Sequence, residues 1–97
     1  MPVQAALALG AKRVIAVDVS AILESTPPDV PLDWREGDVR MRRLADAQTR
    51  DADLLIHPEL GYYAGGSRAY RERVIAIAYE ATMHQATVLR QLATPAP

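Results

Sequence analysis

Hydrophobic positions along the chain change period several times, and each change marks an element. Val3, Ala6, Leu7 and Gly10 recur at helical spacing behind Pro2, which predicts a short helix over residues 2–9 ended by Gly10 as a C′ residue. Residues 13–20 read Arg-Val-Ile-Ala-Val-Asp-Val-Ser, an apolar run without alternation and rich in β-branched side chains. That pattern predicts a strand covered on both faces, as parallel strands in α/β proteins are. Residues 21–37 carry Pro27, Pro28, Pro31, Gly37 and several acids, which predicts a long loop with Trp34 pinning it to the core. A second helix is predicted over 38–50, with Asp38 as N-cap and Met41, Leu44, Ala45 and Gln48 on its apolar face. Leu54-Leu55-Ile56 then forms a second strand within 53–57, closed by Pro58. After a loop at 58–66, Ser67 caps a last helix predicted to run unbroken over 68–93, at about 1.5 Å per residue nearly 40 Å long. Tyr70, Val74, Ile77, Ala81, Val88 and Leu92 are its stripe, and residues 94–97 read as a disordered tail.

Strand, crossover helix and strand make a βαβ unit, so the predicted class is α/β, with parallel strands flanked by helices. Ninety-seven residues, 49% of them apolar, allow one small domain. A formal net charge of −1 gives no bulk electrostatic reason to expect nucleic acid as a partner. With no cysteine, disulfides and thiolate metal sites are excluded. No apolar stretch approaches the roughly 20 residues of a membrane span, and the apolar start lacks the positive leader of an export signal.

Candidate chemistry is sparse. Asp18 ends the first strand, where ligands gather in open α/β sheets, but such a residue commonly just caps the next turn. Ser20 lies outside any Gly-x-Ser-x-Gly frame. His57 ends the second strand with no nucleophile near it in sequence, and His57 and His84 lack ligand spacing, so no metal or other cofactor is expected. Arg40, Arg42 and Arg43 read as a solvated helix face, since acids interleave them and no aromatics accompany them. Gly61 to Gly66 has the outline of a phosphate-binding loop, leaving Gly65, Gly66, Ser67 and Arg68 as a candidate anion site. The lysine and hydroxyl that such a loop uses are out of register here, and glycines easing sharp turns are the default reading.

Three stretches carry a family resemblance. They are Pro2-Val3 leading through Ala8-Leu9-Gly10-Ala11 into Val14-Ile15-Ala16-Val17-Asp18-Val19-Ser20, then Ala52 to Gly61 with Leu54-Leu55-Ile56-His57-Pro58-Glu59-Leu60, and then Ala78-Tyr79-Glu80-Ala81. In that order and spacing the chain resembles the carboxyl-terminal part of bacterial patatin-like phospholipases. The resemblance implies part of a three-layer α/β fold and a family chemistry of lipid ester hydrolysis by a serine-aspartate dyad. The family's Gly-x-Ser-x-Gly, its glycine-rich oxyanion loop and its Asp-Gly-Gly or Asp-Gly-Ala motif match no position here. The resemblance therefore implies a chain that starts just after the last catalytic motif, carries no catalytic residue and is inactive alone.

On this reading the chain supports the sheet of a whole cytoplasmic enzyme that meets a membrane only peripherally, through its lipid substrate. Its partner is the missing amino-terminal half or a second copy. The alternatives are a small α/β module binding an anion at Gly65-Gly66-Ser67, and a structural or oligomerising remnant.

Overall fold

A computed structural model of the protein describes residues 1–95. Its elements are α1 (Val3–Ala8), β1 (Ile15–Val17), a single 3₁₀ turn (Leu23–Ser25), α2 (Leu32–Thr49), β2 (Leu54–Ile56), α3 (Arg68–Met83) and α4 (Ala86–Ala93). The two strands pair directly and in parallel, Ile15 beside Leu54, Ala16 beside Leu55 and Val17 beside Ile56. The α/β class and the parallel βαβ unit are therefore present.

Helix α1 ends as its sequence requires. Gly10 takes φ +99°, the Gly10 N–H donates to Leu7 O (3.0 Å) and the Ala11 N–H to Ala6 O (3.1 Å). This is the paired closure of a Schellman motif, and it turns the chain straight into β1. The strands start on a reciprocal contact: Val14 N–H donates to Asp53 Oδ2 (2.7 Å) and Asp53 N–H to Val14 O (2.8 Å).

The strand is shorter than predicted, and it is not covered on both faces. Val14, Ala16 and Asp18 are buried, whereas Ile15, Val17 and Val19 are 45%, 54% and 68% exposed. Val14 and Ala16 cluster with Val3 of α1, with Ala6, Leu7 and Ala52 packed around them. On the opposite face Ile56 is buried although Val17, its in-register neighbour, is open. Cover over that face thus reaches β2 and stops short of β1.

The predicted loop over 21–37 is replaced in its second half by helix. Helix α2 begins at Leu32, six residues before Asp38, with Pro31 at its N-cap. Pro31 was a start signal mistaken for loop chemistry, and Gly37 is carried inside the helix at a cost of about 1 kcal/mol relative to alanine. Trp34 sits in the first turn, more than half exposed. The loop is pinned instead by Arg35, whose guanidinium donates to Val30 O (3.0 Å) and to Pro27 O, beside buried Val30. Asp38 caps nothing; it accepts the Tyr62 hydroxyl (2.6 Å) and anchors the 58–66 loop to α2. That bond, with burial and the Asp38 charge, pushes the Tyr62 phenol up to about 12.

The long last helix is broken at His84 and Gln85. Gln85 leaves helical geometry (φ −101°, ψ 13°) and its N–H closes a tight turn on Thr82 O (2.9 Å). Neither α3 nor α4 has a buried residue. Helix α4 is fastened at its end by Arg13, whose Nη1 donates to Gln91 O (3.2 Å), Leu92 O (2.5 Å) and Thr94 O (2.6 Å). One cation satisfies three terminal carbonyls where the helix dipole favours positive charge. Thr94 of the expected tail is thereby tied down, and residues 96–97 of that tail lie outside the described residues.

The whole is under-packed. A self-contained 10.6 kDa monomer should expose about 5,500 Å², whereas this chain exposes 7129 Å². Its radius of gyration is 15.6 Å, against about 12.5 Å expected for a compact domain of this length.

Replacing Gly10 by alanine puts a Cβ on a left-handed turn that ends α1. Stability in urea denaturation should fall by about 1–2 kcal/mol, with no change in far-ultraviolet circular dichroism at low denaturant.

Candidate functional site

Side-chain chemistry converges at the carboxyl ends of the two strands. The buried face of β1 points the Asp18 carboxylate, only 4% exposed, under α2. Its Oδ1 accepts the Ser20 N–H (2.9 Å) and the Ser20 hydroxyl (2.6 Å), the side-chain-to-backbone turn expected of an aspartate two residues upstream. Arg42, one turn beyond Asp38 on α2, places Nη1 2.7 Å from Asp18 Oδ2, and its Nε donates to Asp46 Oδ1 (2.8 Å). The Asp18–Arg42 contact is an ion pair out of hydrogen-bond alignment, which leaves Asp18 Oδ2 and Arg42 Nη2 buried without a hydrogen-bond partner. His57, at the end of β2, donates from Nε2 to Ser20 O (2.8 Å), with the same nitrogen 3.8 Å from Asp18 Oδ1. Three segments remote in sequence, the turn after β1, α2 and the end of β2, meet at one carboxylate.

Electrostatics decide what this cluster can do. Burial works to raise the Asp18 pKa, but the Ser20 hydroxyl and N–H, the Arg42 guanidinium and the nearby His57 outweigh it and hold the group at about 2. Arg42 in turn is held further above its ordinary value: burial opposes its charge and Asp18 and Asp46 more than restore it. A carboxylate that far below neutrality is a poor general base, so the 2.6 Å Ser20–Asp18 contact orients the hydroxyl without activating it. The cluster is a latch that closes the carboxyl end of the sheet. Beside it lies a cleft of about 210 Å³ lined by Ser20, Leu23, Met41, Leu44 and Ala45. That is smaller than the roughly 300 Å³ at which ligand sites begin.

Sequence reasoning singled out Asp18 and missed its main partner. Arg42 was read as part of a solvated face, yet it is the one arginine of its group turned inward, and its spacing to Asp46 was the available signal. His57 is a hydrogen-bonded strand-end residue, as its position suggested.

The Gly65, Gly66, Ser67 and Arg68 group is exposed and shares no hydrogen bond or ion pair with the Asp18 cluster among the described residues. Ser67 Oγ accepts the Tyr70 N–H (3.0 Å) as a helix N-cap, and Arg68 Nε donates to Glu72 (2.9 Å). Gly66 O accepts from Arg71 Nη1 (2.6 Å). A Cβ at Gly65 would stand 3.0 Å from the Tyr70 ring, so a larger residue there would press on that ring. Among the described residues no group of three or more His, Cys, Asp or Glu side chains could hold a metal ion. Among the described residues no helix is long and apolar enough to cross a membrane. Set against known protein families, curated proteins and solved structures, the chain matches none of them.

Because folding lowers the Asp18 pKa from 3.8 to about 2, the stability this group contributes is fully present above pH 4 and is lost as pH falls towards 2. Asp18→Asn should therefore cost on the order of 2 kcal/mol at pH 7, with the difference from wild type shrinking in denaturation curves taken at pH 4, 3 and 2.

Proposed function

We propose that this chain is the carboxyl-terminal, non-catalytic portion of a patatin-like lipid acyl hydrolase. One observation carries the reading beyond the three resembling stretches: β1 is an apolar strand with one open face, in a chain that exposes about 1,600 Å² more than a self-contained monomer of its mass. That surplus is twice the roughly 800 Å² each partner contributes to a standard interface. An unfinished sheet of this kind is what a piece of a larger α/β layer presents to solvent.

In the whole enzyme a serine activated by an aspartate attacks the lipid ester carbonyl, and backbone donors stabilise the oxyanion. The residues described above supply none of those groups. Their part is to build the sheet beside the catalytic turn and hold its carboxyl end rigid through the Asp18–Arg42 latch. The ionised state of Asp18 supports this supporting role, since a nucleophile's base needs a pKa far closer to neutrality.

The purified 97-residue chain is expected to hydrolyse a p-nitrophenyl acyl ester no faster than buffer. The DNA upstream of the Met1 codon is expected to encode, in frame, a Gly-x-Ser-x-Gly and an Asp-Gly-Gly. Turnover by the chain alone that Asp18→Asn abolishes, or an upstream frame without those motifs, would overturn the reading.

A further inference from the structure

Residues 68–93 contain neither proline nor glycine, and Tyr70, Val74, Ile77, Ala81, Val88 and Leu92 keep one helical stripe through them, yet the helix breaks at His84 and Gln85. Sharp kinks ordinarily arise at proline, at glycine or serine pairs, or where a group inserts into the hydrogen-bond ladder. The break leaves α4 without a capped start. Gln85 gives it no side-chain cap bond, and among the described residues no backbone hydrogen bond carries the N–H of Ala86, Thr87 or Val88 back to residues 82–84. Cut off in this way, α4 is 8 residues long, well below the roughly 12–15 at which a helix persists by itself in water. Local chemistry therefore favours one continuous helix, and what opposes it lies elsewhere in the chain.

The opposing contact is Arg13. Among the described residues outside α3 and α4, its guanidinium is the only group that makes a hydrogen bond or ion pair to residues 86–95, through the carbonyls of Gln91, Leu92 and Thr94. No side chain of α4 is fully buried, and Val88, Leu89 and Leu92 are half-buried. Between the end of α4 and the residues before β1 runs an open groove of about 450 Å³ lined by Lys12, Arg13, Leu92, Ala93, Thr94 and Pro95, so apolar packing there is incomplete. We propose that α4 is a strap with two positions. Held by Arg13, it bends against the amino end of β1; released, it rejoins α3 in a single helix over residues 68–93 and leaves Lys12 and Arg13 bare. The two positions exchange one set of hydrogen bonds for another, the three from Arg13 against those of the 86–88 N–H groups, which is the near balance a bistable element needs. A guanidinium facing helix carbonyls at the surface is screened by salt, so ionic strength moves the balance toward release. The strap operates whether or not the chain belongs to a lipid hydrolase.

The chain has no cysteine, so Ala69→Cys and Gln91→Cys, both at exposed positions, carry a single pair of nitroxide labels whose separation pulsed electron spin resonance measures. One continuous helix sets these Cα atoms about 33 Å apart, at about 1.5 Å per residue, and any bend shortens that distance. The labelled chain with Arg13 intact should show mainly the shorter distance at low salt. Arg13→Ala should raise the ratio of long to short about tenfold, the scale of one lost hydrogen bond to a charged group, and should slow amide exchange at Ala86, Thr87 and Val88 as they gain partners. Gln85→Gly added to Arg13→Ala should make exchange at those three fast again, because glycine disfavours the helix at the join. Raising sodium chloride from about 0.05 M to about 0.5 M should lengthen the distance in the chain with Arg13 intact, and this series decides the matter where the alanine variant does not fold. A distance that neither Arg13→Ala nor salt lengthens fixes the break in residues 84–85 themselves and overturns the inference. A broad spread of distances with fast exchange throughout residues 86–93 makes Arg13 a support of α4 with no straight position to release, and overturns it as well.

Discussion

The ion pair between Asp18 and Arg42 joins the end of β1 to α2, and the Arg42 Nη1–H also donates to Ser20 Oγ (3.3 Å). Asp18 ends β1, Arg42 belongs to α2, and Ser20 and His57 attach to the same carboxylate from the turn after β1 and the end of β2. In a sheet of two three-residue strands, backbone pairing alone is marginal. The carboxylate stays charged despite burial because several hydrogen-bond donors and two cationic or potentially cationic side chains surround it. Such a pair is no strong source of net stability, since desolvation offsets much of the attraction. Its consequence is geometric: it fixes where α2 crosses the sheet.

The other parity of β1 carries the opposite message. Where the buried residues find α1 and α2, the outward residues find water, and cover on that face ends at Ile56. Apolar surface left open on this scale is uncommon in monomers. The extended dimensions of the chain have the same origin, because α3 and α4 bury no residue and α4 is fastened only at its end, by Arg13. The glycines at 65 and 66 fit this picture of connection: Gly65 makes room for Tyr70, and Ser67 is spent on its own helix.

Much of the architecture was legible in the sequence. Gly10 as a helix stop, Leu54–Ile56 as a strand and Ser67 as a cap each rest on local chemistry that no tertiary contact has to create. Misreadings occurred where a residue type has two meanings. Pro31 belongs equally to a loop and to a helix start, and it hid the first six residues of α2. The break at His84 and Gln85 has neither proline nor glycine to announce it, so an unbroken stripe concealed two helices.

Taken alone, the sequence determined the alternation of helices and strands, that the strands run parallel, and that Asp18 stands where such sheets gather polar groups. Those properties follow from propensity, period and chirality, which act over a few residues. Only the tertiary structure decided that Arg42 turns inward to Asp18 while its neighbours stay in water, and that one face of β1 is open. Both depend on which surfaces of distant segments meet, and an apolar run reads the same whether its second face is covered by this chain or by another.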